Sequence, residues 1–368
     1  MASELMLRFA ERTGLTSNEP QRRYLWTDAF AVTNFLGLAR ATGEQRYADL
    51  ALRLVAAVHH TLGRHREDDS RKGWISGLAE KEGELHPTRG GLRIGKALPQ
   101  RKPQEAFDER LEWDRDGQYF HYLTKWMHAL DQVARFTKRP VFNDWARELA
   151  ARADSAFTQP GNPSRMYWKM SIDLSRPLVA SMGQHDPLDG YVTCAELQAT
   201  AARFGDKALG PDVSRAARRY AAMLEGRDLE TSDPLGLGGL LTDAYRVQQL
   251  VEHGALRDAG LLDRLLGAAL SGLEEYARQG ELGEPATQRL AFRELGLSIG
   301  LYAVSRMHGH EQQLRAFSRY ADLAHRIESF WLVPEHQRAD TWTEHRDINE
   351  VMLATSLAPD GFLDLAGA

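Results

Sequence analysis

The chain has 368 residues, 43% of them hydrophobic and 26% charged, with a formal net charge of -5. This is the composition of a globular protein long enough to bury a large core. It excludes the strongly basic surface that nonspecific nucleic-acid binding needs, and no stretch reaches the uncharged length of a membrane span.

Cys194 is the one cysteine, so no intramolecular disulfide can form. A reduced, cytoplasmic setting fits that count. The opening "MASELMLRFAERTG" carries Glu4 and Glu11 and has no continuous apolar run, so it does not read as a signal peptide.

Nearly every periodic segment has helical spacing. The first helix is expected over residues 3–13. Helical pairs follow at 28–42 with 46–62, 118–137 with 141–157, and 188–204 with 212–225. Later pairs are 237–252 with 257–279 and 290–307 with 311–331, and a closing helix covers 347–357. In "FHYLTKWMHALDQVARF", Leu123, Trp126, Met127, Leu130 and Val133 recur at three- and four-residue steps and form one apolar stripe. Leu262, Leu265, Leu266, Ala269 and Leu273 form another. No extended β-branched alternation competes, so short strands are expected only in loops.

The chain also echoes itself. "RATGEQRYADLALRLVAA" from Arg40 is answered by "RFTKRPVFNDWARELAAR" from Arg135, with Thr42 matching Thr137, Tyr47 matching Phe142 and Asp49 matching Asp144. Each reads as a helix end, a tight turn and a second helix with an aromatic anchor. Repeated hairpins of this kind bury their faces against neighbours.

The layout, with the hairpin phrase around Thr42–Tyr47 and "FHYLTKWMHAL" at 120–130, resembles the six-hairpin glycosidases and the N-acylglucosamine 2-epimerase-like proteins. The resemblance implies an all-α fold, an (α/α)6 toroid, as one domain over residues 1–368. It also implies an inner ring of helices and an active site in a funnel formed by the loops before them.

In that arrangement the funnel loops are "YLWTDAFAVTNF", "EWDRDGQYFHYL", "GQHDPLDGY", "DPLGLGGLLTDAYR", "GEPATQRLAFRE" and "TWTEHRDINEVM". Aromatic rings there would stack on sugar faces while carboxylates and amides bind hydroxyls. A saccharide or sugar-like small molecule is the expected partner, with neither nucleic acid nor membrane, and a homo-oligomer is open. No cofactor and no metal is expected.

Glycosidic hydrolysis ordinarily needs two carboxylates, one to protonate the leaving oxygen and one to activate water or attack carbon. Asp116, Asp189 and Glu344 are the catalytic candidates. Asp28, Tyr119, His121, His185, Trp342 and His345 are the candidates for binding or positioning the sugar. Each has a structural reading beside the functional one: Asp28 as a helix cap, Asp116–Gly117 as a turn, Asp186 and Asp189 as turn or cap residues around Pro187, and Glu344 with Asp347 as partners of a helix start. Turn formation accounts for the aspartates of "HDPLDG" but not for His185.

The histidines His121, His185 and His345 offer a second chemistry. A neutral imidazole can take a proton beside a carbonyl and another can return it, which suits sugar isomerisation or epimerisation. A noncatalytic helical binding protein is the third reading. His59, His60 and His65 lack the spacing of a zinc site, and Cys194 reads as a small buried apolar residue. The glycines of "GLGGL" at 236–240 read as allowing a tight helix start or close ligand approach. The irregular stretch within 70–115 reads as a lid, a subunit contact or a disordered insertion.

Overall fold

A computed structural model describes residues 1–257 and 259–365. Asp258, at the start of the expected 257–279 helix, and the last three residues of the expected 1–368 domain lie outside the described residues. In chain order the elements are α1 (Ala2–Arg12), α2 (Leu25–Thr42), α3 (Gln45–Leu62), α4 (Glu80–Leu85), α5 (Glu109–Asp114), β1 (Gln118–Tyr119), α6 (Phe120–Thr137) and α7 (Val141–Phe157). The strands β2 (Thr158–Gln159), β3 (Asn162–Met166), β4 (Lys169–Met170) and β5 (Pro177–Val179) follow, then α8 (Asp186–Phe204) and α9 (Ser214–Leu224). The remainder is α10 (Pro234–Glu252), α11 (Ala259–Gln279), α12 (Ala291–Ser305), α13 (Glu311–Phe317), α14 (Leu323–Trp331), α15 (Asp340–Thr343), α16 (Arg346–Leu357) and α17 (Asp360–Leu363).

The long helices thus fall where the periodicity places them, with two informative differences. α8 and α10 begin earlier than their apolar stripes, because Pro187 and Pro234 sit in the first turn, where a missing N–H costs nothing. Asp233 caps α10 by accepting the Gly236 N–H at 2.9 Å. The expected helix 311–331 is broken instead into α13, a 3₁₀ turn at Ser318–Tyr320 and α14. At the break the Ser318 hydroxyl donates to the Arg315 carbonyl at 2.7 Å, competing with the helical ladder.

The described residues divide into two compact units, one made of residues 11–36 and 45–225, the other of 1–10, 37–44, 226–257 and 259–365. In the first, α6 packs on α7 and α8, and α8 on α9. α6 and α8 are buried around most of their circumference, whereas α9 buries only Ala216, Tyr220, Met223 and Leu224 along one face. That contrast separates helices walled in on all sides from amphipathic helices that cover them. The α6–α8 contact holds a polar network: Asp131 accepts from Arg135 at 2.7 Å, Asn143 at 2.7 Å and Thr200 at 2.8 Å. Burial raises the Asp131 pKa, and Arg135 opposes it.

In the second unit α10 packs on α11 and α12, and α12 on α14 and α16. Of the glycines read from sequence as allowing a tight helix start or close ligand approach, Gly236 lies at the capped start of α10 and Gly238 serves this packing. A Cβ on Gly238 would stand 2.0 Å from the Gly296 carbonyl oxygen, and one on Gly300 would stand 2.7 Å from the Gly238 Cα. The two backbones touch where side chains would hold them apart.

The sequence echo has a local counterpart. Thr42 and Thr137 end α2 and α6, each donating its hydroxyl to the carbonyl four residues back, at 2.8 and 2.7 Å. Each is followed by a left-handed residue, Gly43 or Lys138. Tyr47 and Phe142 are the buried anchors of the helices that follow.

Within 70–115, the stretch at 88–96 is pinned. The Leu25 N–H donates to the Ile94 carbonyl at 3.0 Å, and the Ile94 N–H to the Gly117 carbonyl at 2.8 Å. The Leu92 N–H donates to the Gln118 side chain at 2.8 Å. Gly91 takes φ +79° there, and a Cβ would stand 2.2 Å from Gln118 Oε1. The exposed apolar side chains of this segment are Leu85, Leu98, Phe107, Leu111 and Trp113.

Candidate functional site

β1 and the first turn of α6 set out an aromatic cluster. β1 pairs antiparallel with β4, Tyr119 opposite Lys169, and β4 pairs with β5. This small sheet carries Trp168 to the start of α6. Phe120 turns inward against Phe157 and Tyr220, while His121 and Tyr122 are only partly buried. The His121 ring stacks on Tyr119 at 5.3 Å and on Trp168 at 6.1 Å, nearly parallel to the latter at 15°. Tyr122 stands edge-on to it at 4.9 Å.

A second group joins from the chain leading into α2. The Tyr24 and Tyr122 hydroxyls are 2.7 Å apart, Trp26 is tilted against Tyr122 at 6.4 Å, and Lys96 Nζ lies 5.8 Å above the Tyr24 ring. Burial pushes the Tyr24 phenol up to about 12, the Tyr122 hydrogen bond opposing it. Burial also lowers the Lys96 ammonium, against the pull of Asp114 and Asp116.

α8 supplies the charges. The Lys125 ammonium donates to Asp189 Oδ1 at 2.8 Å, and Asp186 Oδ1 lies 3.8 Å from His121 Nδ1. Burial lowers the His121 pKa to about 4, with Asp189 raising it and Lys125 lowering it. The ring keeps 28% side-chain exposure, so neighbouring walls desolvate it without closing it off, and it is neutral at pH 7. His185 is the N-cap of α8 and its carbonyl accepts the Asp189 N–H at 3.0 Å. Asp186 accepts the Gly183 N–H at 3.1 Å.

Other candidates have structural partners. Asp116 is wholly buried: Oδ2 accepts from Arg93 at 2.9 Å and Arg66 at 3.3 Å, and Oδ1 from the Gly95 and Gly117 N–H groups at 2.9 and 3.0 Å. Asp28 accepts the Tyr24 N–H at 3.0 Å and faces Arg23 at 3.4 Å, closing the start of α2 in the manner of a capping box. Cys194 is buried, and burial raises its thiol pKa.

Trp342, Glu344 and His345 belong to the other unit. Trp342 is buried and stacks on Trp331 at 5.6 Å. Glu344 is exposed at the end of α15, and His345 meets Phe292 edge-on at 5.6 Å. Nearby, Glu294 accepts both arms of Arg289 at 2.7 Å and the Trp331 N–H at 2.7 Å. Arg289, Glu294, Asp233 and Arg293 line a cavity of about 460 Å³.

The structure therefore brings Tyr119, His121 and Asp189 together and leaves Asp116 and Asp28 in their own ion-paired surroundings. Sequence reasoning did not single out Trp168, Trp113, Tyr122, Tyr24, Trp26, Lys96 or Lys125. Trp113, Trp26 and Tyr122 stand in the expected funnel loops and were legible as aromatics beside carboxylates. Trp168 carried no such signal, because a strand pairing places it. Among the described residues no group of three His, Cys, Asp or Glu is arranged to hold a metal ion, and no helix is long and apolar enough to cross a membrane.

This chain has an all-α (α/α)6 fold of repeated helical hairpins, as the hairpin resemblance implied, and shares that fold with solved structures of low sequence identity. The particular likenesses are distant. A GH76 alpha-mannanase from Bacteroides thetaiotaomicron superposes with a TM-score of 0.57 at 8% identity, over 98% of this chain and 96% of that one. A sugar epimerase from a ruminal bacterium gives 0.52 at 10% identity, over 97% and 98%. Cellobiose 2-epimerase from Spirochaeta thermophila gives 0.50 at 12% identity, over 91% and 86%. No family model matches the chain, and no curated protein matches it by sequence.

Proposed function

We propose that this protein is a carbohydrate-active enzyme whose chemistry centres on His121, moving a proton on a free or reducing-end sugar. The observation that carries the reading is a neutral, partly accessible imidazole packed against both Tyr119 and Trp168, which also touch each other at 5.1 Å, with Asp186 and the Lys125–Asp189 pair beside it. Aromatic walls suit the apolar faces of a pyranose, and a neutral imidazole is a general base at pH 7. His121 takes the proton from the carbon next to the open-chain aldehyde. The electron pair passes to the carbonyl oxygen, which takes a proton from water. In isomerisation the enediol then receives the imidazolium proton at the former carbonyl carbon while its 2-hydroxyl proton leaves to water. In epimerisation it receives a proton from water on the opposite face of the original carbon while the oxygen and imidazolium protons leave to water. Both a mannanase and sugar epimerases share the fold, which is compatible with either sugar chemistry.

Glycoside hydrolysis by paired carboxylates is the second reading. It rests on Asp186 and Asp189 standing at the start of α8, beside the same cluster. In it Asp189 is the ionised carboxylate and Asp186 supplies the proton. Asp116, enclosed by two arginines and two backbone N–H groups, is a poor donor to a substrate.

The deciding experiment incubates the full chain with free sugars and oligosaccharides in D₂O and follows products by mass spectrometry. Reducing-end rearrangement with deuterium gained at carbon, lost in His121→Asn, is the expected result. Shorter saccharides without deuterium at carbon move the assignment to hydrolysis. A panel with no product counts against both readings.

A further inference from the structure

α5 is a single short helix, yet it is firmly held. Glu112 on its inner face accepts from Arg101 Nε at 2.9 Å and from the buried Lys169 ammonium at 3.0 Å. Lys169 also donates to the Glu112 and Arg115 carbonyls at 2.6 and 2.8 Å, and Asp108 caps the helix at the Leu111 N–H. The residue after Glu112 is Trp113, which keeps 47% of its surface accessible. An indole left this open on a rigid anchor contributes little to the core and is oriented for contact from outside.

Its one ring neighbour in the aromatic group is Trp168, edge-on at 5.1 Å. Trp168 in turn lies 6.1 Å from His121, nearly parallel to it. The three rings form a ladder from solvent to the proposed reacting centre, each step of the order of one sugar ring. The neighbouring exposed Phe107 differs, since the Arg101 guanidinium sits 5.6 Å over its ring.

We infer that Trp113 is the stacking platform for a second sugar unit, so that the substrate class is an oligosaccharide of at least two units and not a monosaccharide. The inference rests on the saccharide reading of the His121 cluster. One ring binds against Trp168 and His121, and the next lies on Trp113.

Binding of glucose, mannose and their β-1,4- and α-1,6-linked oligomers of two to four units to the full chain, by calorimetry and tryptophan fluorescence, tests it. The expected result is at least tenfold tighter binding of a dimer than of its monomer. Trp113→Ala removes that gain and leaves monomer affinity unchanged, while Trp113→Tyr keeps most of it. Equal length dependence in the wild type and Trp113→Ala overturns the platform while the saccharide reading stands. So does an equal loss for monomer and dimer, which marks a structural role. Absence of binding by every sugar overturns the saccharide reading and the platform with it.

Discussion

Lys125 donates to Asp189 at 2.8 Å, with the two side chains 15% and 11% exposed. The pair joins α6 to α8 and places opposite charges beside His121. Asp189 favours the imidazolium and Lys125 disfavours it.

Removing one charge at a time is expected to move His121 in opposite directions. Lys125→Met raises its pKa and Asp189→Asn lowers it further below the ordinary value of 6.5. Titration of the His121 ring proton by NMR reads both shifts without any substrate. Shifts of the same sign in both variants contradict the electrostatic account.

Asp116 is expected to act on stability. Arg93 and Arg66 are 12% and 13% exposed, so Asp116→Ala takes a buried carboxylate from Arg93, leaves Arg66 paired with Asp68 alone, and removes the acceptor of the Gly95 and Gly117 N–H groups. The expected loss is about 3–5 kcal/mol, read from urea melts. A variant that melts like the wild type but loses turnover assigns Asp116 to chemistry instead.

Neighbouring glycines of α10 are expected to respond with opposite sign. Gly238→Ala drives a methyl into the Gly296 backbone and costs about 1–3 kcal/mol or more. Gly239→Ala meets nothing within 4 Å and stabilises the helix by about 0.5–1 kcal/mol. Thermal melts of the two single variants check the pair.

Acid is expected to weaken the fold through His59. Its Nε2 accepts the Trp126 N–H at 3.2 Å, and burial lowers its pKa to about 3 from an ordinary 6.5. The folded state keeps this ring neutral while the unfolded chain takes up a proton below its ordinary value. The contribution is therefore full above about pH 6.5 and is lost as pH falls toward about 3. In that window His59→Gln, which retains an acceptor for Trp126, is expected to flatten the dependence of unfolding free energy by up to about 1.4 kcal/mol per pH unit. Denaturant melts at successive pH values give the slope, and an unchanged slope rejects the assignment.

Much of the helical frame was legible from residue spacing. The stripe through Leu123, Trp126, Leu130 and Val133 is local information, and α6 follows it. The paired threonines at 42 and 137 mark equivalent helix ends for the same reason. The site was legible in part. "QHDPLDGY" is the first turn of α8, with Pro187 in a position that proline favours, and its Asp189 also faces Lys125. Turn and cap chemistry predicts the first fact. The second depends on a residue more than sixty positions away.

By itself the sequence determined which segments are helical, where several of them begin, and that hairpins repeat, because 3.6-residue periodicity, first-turn prolines and capping side chains act over a few residues. Tertiary structure decided which polar side chains stand beside the aromatic cluster and which are enclosed by ion-pair partners. Asp116 and Asp189 look alike in sequence, yet one is enclosed by Arg66 and Arg93 and the other stands beside His121. The difference arises from desolvation and long-range charge pairing, which depend on distance in space, and the pairing of β1 with β4 that carries Trp168 to His121 is set the same way.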